Sequence, residues 1–232
     1  MSTERTPVAG LPFTGDPVTT GGHRLAMMLT LADSRLPVGG HVHSGGLEEA
    51  ISGGAVRDLP TLREFLIRRV RTSGLVAASI AAAVVDGRLD VATAEVEADA
   101  RTPSAAARTA SRAQGRGMLR LGKKIYPQED WSAHPPRPHL PVVAGAVSRI
   151  AGLDPFQSAL VLIYTTMTGS ATAGQRLLAL DPGDVALLGV EMTPLCESTA
   201  ATASVDLADL SDPLLDVLAQ RHELRPMPLF AS

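Results

Sequence analysis

The chain has 232 residues, a formal net charge of -3 at pH 7, 45% hydrophobic and only 3% aromatic residues, and a single cysteine. That length and apolar content suit one domain with a real core and exclude a disordered chain, and the shortage of aromatic side chains argues against a large β-sandwich or barrel. The charge supplies no general attraction to nucleic acid or anionic membrane, and one thiol, Cys196, excludes an internal disulfide.

Taken in chain order, residues 1–22 are rich in Pro, Gly and Thr and read as a flexible tail with no secretory pattern. Helical spacing then predicts elements near 24–32, 45–51, 61–86, 90–100, 103–125, 141–151, 155–180, 182–203 and 213–223. The helix at 61–86 carries Leu62, Phe65, Leu66, Val70, Ala77, Ile80 and Val84 at steps of three, four or seven, and Thr61 followed by Glu64 reads as its capping box. Thr102-Pro103, Asp154-Pro155, Asp181-Pro182 and Asp212-Pro213 each place a capping side chain before a first-turn proline. Gly87 and Gly152 read as helix stops. No alternating strand pattern interrupts these elements. The expected fold is all-α, a single-domain helical bundle of about nine helices over 23–223, with 224–232 as a separate tail.

No charged residue occurs between Asp154 and Arg176, long enough to span a bilayer. The threonines, glutamines and glycines within that stretch favour a buried central helix instead. The small-residue helices 74–84 and 169–179 allow helix axes to approach closely, inside the bundle or in a dimer seam.

Catalytic signals are sparse. There is no GxxxxGK[ST] phosphate loop, no HExxH and no CxxC, so no catalytic, cofactor-binding or metal residue is assigned. Cys196 reads as a buried, inert thiol. His41 and His43 sit two apart in a glycine-rich loop with His23 upstream. They suggest an alternative, a small α-helical metal-dependent enzyme, which metal retained after chelator washing would favour. Arg108, Arg112, Arg116, Arg120 and Lys124 recur every fourth residue and read as a solvated stripe, with a dock for an acidic protein as the functional alternative. Without interleaved aromatic residues, nucleic acid ranks below both.

Two segments carry more specific patterns. Leu31-Ala32-Asp33-Ser34-Arg35-Leu36-Pro37-Val38-Gly39-Gly40, continued by Ser44-Gly45-Gly46-Leu47-Glu48, has the proline and glycines of a shaped recognition loop, with Ser44 or a glycine as the cap of the next helix. Leu218-Ala219-Gln220-Arg221-His222-Glu223 ends the last predicted helix, and Leu229-Phe230-Ala231-Ser232 ends the sequence. Pro226 and Pro228 stop that helix from continuing, and two large apolar residues follow them.

Together with Met167-Thr168-Gly169-Ser170 leading to Gln175-Arg176-Leu177-Leu178, these segments resemble the urease accessory protein family UreF, in a divergent, actinobacterial-like form. His41 stands where the family often has an aromatic residue, and Ala231 where Arg is common. The resemblance implies a cytoplasmic homodimer without its own catalysis or cofactor. Its partners would be the UreD (also UreH) scaffold, the GTPase UreG and apo-urease, with nickel insertion in step with GTP hydrolysis. The implied partner-binding residues are Pro37, Gly39, Gly40, His43, Ser44, Gly46, Leu47, Glu48, Arg221, His222, Glu223, Leu229, Phe230 and Ser232. The resemblance also implies a tail that becomes ordered on the scaffold.

Overall fold

The computed structural model describes residues 17–38, 43–209, 212–223 and 229. Among them are eleven α-helices and no strand: α1 (Pro17–Leu31), α2 (Leu47–Ser52), α3 (Leu59–Arg69), α4 (Leu75–Val85), α5 (Val91–Ala100), α6 (Ala105–Ile125), α7 (Leu140–Ile150), α8 (Pro155–Leu178), α9 (Pro182–Glu191), α10 (Thr193–Val205) and α11 (Pro213–His222). The all-α expectation holds. The count rises from nine because two predicted helices are each divided.

The helix expected over 61–86 is divided by a π turn, Val70–Gly74, which joins α3 to α4 without a loop. Its widened i→i+5 turn shifts the helical phase between the two halves. The helix expected over 182–203 divides at Met192, where Pro194 lacks the N–H needed to continue the α9 ladder and sits instead in the first turn of α10. α1 begins at Pro17, inside the segment read as a tail.

The caps show which local signals carried. Asp154, Asp181 and Asp212 each accept first-turn backbone N–H groups, with proline following, as expected. Gly87 and Gly152 follow helix ends with φ of 80° and 76°. Two caps lie elsewhere. Asp58, not Thr61, opens α3: its carboxylate accepts from the Thr61 N–H at 2.9 Å, and the Thr61 hydroxyl accepts from the Asp58 N–H at 3.1 Å. Thr61 is thus the third residue of that capping box, and the helix starts earlier. Ser104, not Thr102, caps α6 through the Ala107 N–H.

α4 forms the centre. It packs against α7, α8 and α10, and nearly all its residues are buried. Its alanines keep those contacts close. At the crossing with α7, a Cβ on Gly145 would stand 2.6 Å from the Ala81 carbonyl and 2.8 Å from Val84 Cβ. The main core joins Leu47, Leu62, Leu66, Val70, Ile163 and Met167 to α9–α11. A second cluster surrounds Trp131 between α1, α6 and α7. α8 runs beside α4 with Ile163, Met167 and Ala173 buried, and no helix among the described residues is long and apolar enough to cross a membrane. Cys196 is buried in the core, where burial and the nearby Glu197 charge push its thiol pKa up.

A long-range ion pair closes the bundle. Arg68 Nε and Nη2 grip the carboxylate of Asp212, the N-cap of α11, with Nη2 to Oδ1 at 2.9 Å. Burial opposes ionisation of Asp212. The Arg68 hydrogen bonds and the Leu214 and Leu215 N–H groups outweigh it, so its pKa lies below the usual carboxylate value.

Two outcomes follow from this packing. Gly145→Ala should destabilise the fold by about 1–3 kcal/mol in urea unfolding, because the backbone oxygen of Ala81 cannot move aside as a side-chain tip would. Arg68→Met should cost about 1–2 kcal/mol at neutral pH, since Arg68 is half exposed and solvent screens the pair. Because the folded pKa of Asp212 is depressed, its stabilisation is present above its unfolded pKa of about 3.9 and is lost as pH falls through the folded value. The gap between wild type and Arg68→Met, measured by urea titration across pH, should therefore be full at neutrality and narrow below about pH 4.

Candidate functional site

The two segments singled out in the sequence meet in space. After α1, the carboxylate of Asp33 accepts from the Arg35 N–H at 2.8 Å and from its Nε at 3.0 Å. The Arg35 side chain and N–H hold the Asp33 carboxyl down at about 2. This tight turn delivers Pro37 and Val38 onto α6, where a Cβ on Gly117 would come within 2.9 Å of Val38 Cα and 3.1 Å of the Pro37 carbonyl. Gly39, Gly40 and His41 lie outside the described residues.

The chain then turns through Gly45 and Gly46, both left-handed with φ of 61° and 86°. Gly46, rather than the Ser44 side chain, occupies the N-cap of α2, while Ser44 Oγ accepts a long bond of 3.4 Å from the Glu48 N–H. Glycine is needed at 46 twice over: for its backbone angle, and because a Cβ there would meet Leu218 Cβ of α11 at 3.1 Å. Leu47 enters the main core, fully buried.

Glu48 is 3% exposed and His222 is 2% exposed, and their side chains meet at 2.8 Å between Oε2 and Nε2. The other carboxylate oxygen, Oε1, accepts from the backbone N–H of Leu229 at 3.0 Å. A buried carboxylate is tolerable only when its oxygens are met by donors, and here α11 and the segment beyond it supply them. Leu229 therefore lies against the bundle through its backbone, while residues 224–228 and 230–232 lie outside the described residues. Its side chain points outward, 78% exposed.

Ser44, Gly46, Leu47, Glu48 and His222 are buried framework. Pro37, Arg221, Glu223 and the Leu229 side chain are exposed, and His43 is half-buried. Phe230 and Ser232 lie outside the described residues.

A second polar cluster had no signal in the sequence. His139, 1% exposed, meets Asp99 through Nε2 at 2.8 Å and Ser111 through Nδ1 at 3.0 Å. Its backbone N–H donates to Glu95, and Ser111 Oγ also accepts from the Leu140 N–H at 3.2 Å. Arg112 binds both Glu95 and Asp99. Burial opposes ionisation of Asp99, but His139 and Arg112 outweigh it and hold its pKa below the usual carboxylate range. Though it contains an acid, a histidine and a serine, the cluster fastens the start of α7 to α5 and α6, with the serine hydroxyl serving the first N–H of α7.

This resolves part of the basic stripe. Arg112 is structural, and Arg108 donates to the Thr102 and Pro103 carbonyls. Arg116, Arg120 and Lys124 are exposed. Among the described residues, no group of three or more His, Cys, Asp or Glu side chains comes together as a metal site would require.

Comparison with known proteins adds to this geometry. A family model described as UreF matches residues 56–191. The chain is 65% identical over 208 residues to a protein of Mycobacterium sp. (strain JLS) named urease accessory protein UreF, covering 90% of this chain and 99% of that one. Proteins of the same name from Mycolicibacterium vanbaalenii and from Mycobacterium tuberculosis (strain H37Rv) are 64% and 60% identical, each over 90% of this chain and 99% of their own length. An all-helical bundle with these relatives falls in the class of urease accessory proteins. The chain belongs to the UreF family, in its actinobacterial branch.

Glu48→Gln should destabilise the protein by about 1–3 kcal/mol in urea unfolding. The neutral amide offers one acceptor where the carboxylate offers two, so either the His222 side or the Leu229 N–H loses its partner.

Proposed function

We propose that this chain is a non-catalytic adaptor in urease maturation. It would bridge the UreD (UreH) scaffold and the GTPase UreG while nickel is inserted into apo-urease in step with GTP hydrolysis. The observation that carries this reading is the joining of the glycine-rich loop to the last helix through Gly46–Leu218 and Glu48–His222. One buried carboxylate fixes both segments by which the chain resembles the family, so they make one continuous surface.

In this reading the buried members shape the surface and the exposed ones touch the partner. Pro37, Arg221, Glu223 and Leu229 are the contact residues, with Gly39, Gly40, Phe230 and Ser232 belonging to the same two segments. His43 stands at the inner edge of the loop. Leu229 offers an apolar side chain in water next to a fixed backbone, which lowers the entropy lost when a groove closes over it.

The protein acts in the cytoplasm as a homodimer formed through helical surface. The small residues of α4 are consumed by packing inside the bundle, so that helix supplies no seam. Exposed apolar side chains on α1 (Leu25, Leu29) and α9 (Leu187, Val190) remain available for one.

The test is co-purification with UreD and UreG from the same organism. Leu229→Asp should leave the melting temperature unchanged, since the side chain is exposed and the hydrogen bond comes from the backbone. It should weaken capture by the scaffold by about tenfold or more, as loss of an apolar anchor does. Undiminished capture by Leu229→Asp would remove this residue from the interface, and failure of the wild-type chain to co-purify with either partner would defeat the adaptor reading.

A further inference from the structure

Arg69 is the last residue of α3, immediately before the π turn, and its guanidinium lies flat over Gly45. A Cβ on Gly45 would stand 2.0 Å from Nη1, 2.1 Å from Cζ and 2.2 Å from Nη2, so only glycine leaves room for it. Nη1 donates to the Gly45 carbonyl at 2.8 Å. Nε is buried and meets no acceptor among the described residues, and Nη2 makes no hydrogen bond or ion pair with them. Burial lowers the Arg69 pKa to about 10, which leaves it charged at neutral pH. Even a partly desolvated cation is costly unless something opposite in charge meets it.

The Nε–Nη2 edge is the side of a guanidinium that takes a carboxylate with two parallel donors. The same molecule uses that edge elsewhere. Arg68, next in the chain, holds Asp212 with it, and Arg35 holds Asp33. These carboxylates are therefore committed. Asp216, which lines a cavity that Arg69 also lines, accepts from the Ser104 N–H and forms no ion pair with Arg69.

Two cavities meet at this guanidinium. One, of about 320 Å³, runs beneath the 31–38 turn along α8, and the other, of about 210 Å³, lies between α6 and α11. His43, Arg69, Gln114 and Thr166 line both. Thr165 and Thr168 turn their hydroxyls back to carbonyls of their own helix, at 2.9 Å each. Thr166 makes no such bond, and the Gln114 amide has no hydrogen-bond partner among the described residues. A charged donor and two neutral donors, from α3, α6 and α8, thus line the same two cavities.

We propose that Arg69, Gln114 and Thr166 form a binding site for a small free carboxylate, held side-on by the Nε–Nη2 edge of Arg69. The guanidinium lies over Gly45 where two small cavities meet, so an anion of a few heavy atoms reaches it more readily than a side chain carried on another backbone. The inference is independent of the adaptor role.

Acetate is the probe, added to the full chain at constant ionic strength in place of chloride. Thermal unfolding and the Nε–H resonance of Arg69 in ¹H–¹⁵N spectra are the readouts. The melting temperature should rise with acetate along a saturating curve, since a ligand that binds only the folded state stabilises it by mass action. The Arg69 resonance should shift along the same curve. Arg69→Gln should weaken binding by about tenfold or more, because it removes the charge and the paired edge. Should Arg69→Gln not fold, the double variant Thr166→Val, Gln114→Leu decides the matter, with an expected weakening of about threefold or more. A response that never saturates, an unmoved Arg69 resonance, or a folded variant that binds as wild type would overturn the proposal.

Discussion

A carboxylate taken out of water governs this end of the molecule. Glu48 cannot be buried as an anion unless donors meet both its oxygens, and those donors come from residues far along the chain, His222 and the Leu229 backbone. α2, only six residues long, is too short to hold helical form by its own hydrogen bonds. It exists because Leu47 is locked in the core, Gly46 lies under Leu218 and Glu48 is tied to α11. The conformation of the glycine-rich loop and the position of the last helix are therefore one structural fact.

Adjacent arginines show how the same side chain serves different ends. Arg68, half exposed, neutralises the cap of α11 and so strengthens the joint between the two ends of the bundle. Arg69, one residue on, points inward over Gly45 and finds a carbonyl but no carboxylate. The π turn that begins after it separates the helical phase of α3 from that of α4. α4 can thereby bury nearly its whole circumference while α3 keeps a charged last turn of Arg68 and Arg69.

The sequence made the helical architecture legible because its signals are local. Each Asp-Pro pair at 154, 181 and 212 fixes a helix start within two residues, and Gly87 and Gly152 mark stops. Misplacement arose where two capping side chains stood close together: Asp58 won over Thr61, and Ser104 over Thr102, because each put its oxygen within reach of the first free N–H groups. The π turn left no mark, since Val70 and Ala77 remain seven apart whichever way the intervening turn is wound. The site was legible as two separate motifs and not as one place. Nothing near Glu48 names His222, and nothing near His139 names Asp99 or Ser111; such pairs are set by how helices pack. For the same reason the motif residues could be chosen from the sequence but not sorted into those that face water and those that support them.

The separation of these partners has a consequence for biosynthesis. Glu48 and His222 stand 174 positions apart, and Arg68 and Asp212 stand 144 apart. Contacts of such span form late, after the loop-closure entropy of the intervening chain has been overcome. During translation α2 and the charged turn of α3 leave the ribosome long before α11 exists, at about 5–20 residues per second. Until then the Glu48 carboxylate must remain hydrated, so the nascent bundle stays unlocked at this end. The surface joining the glycine-rich loop to α11 is completed only as the last helix arrives.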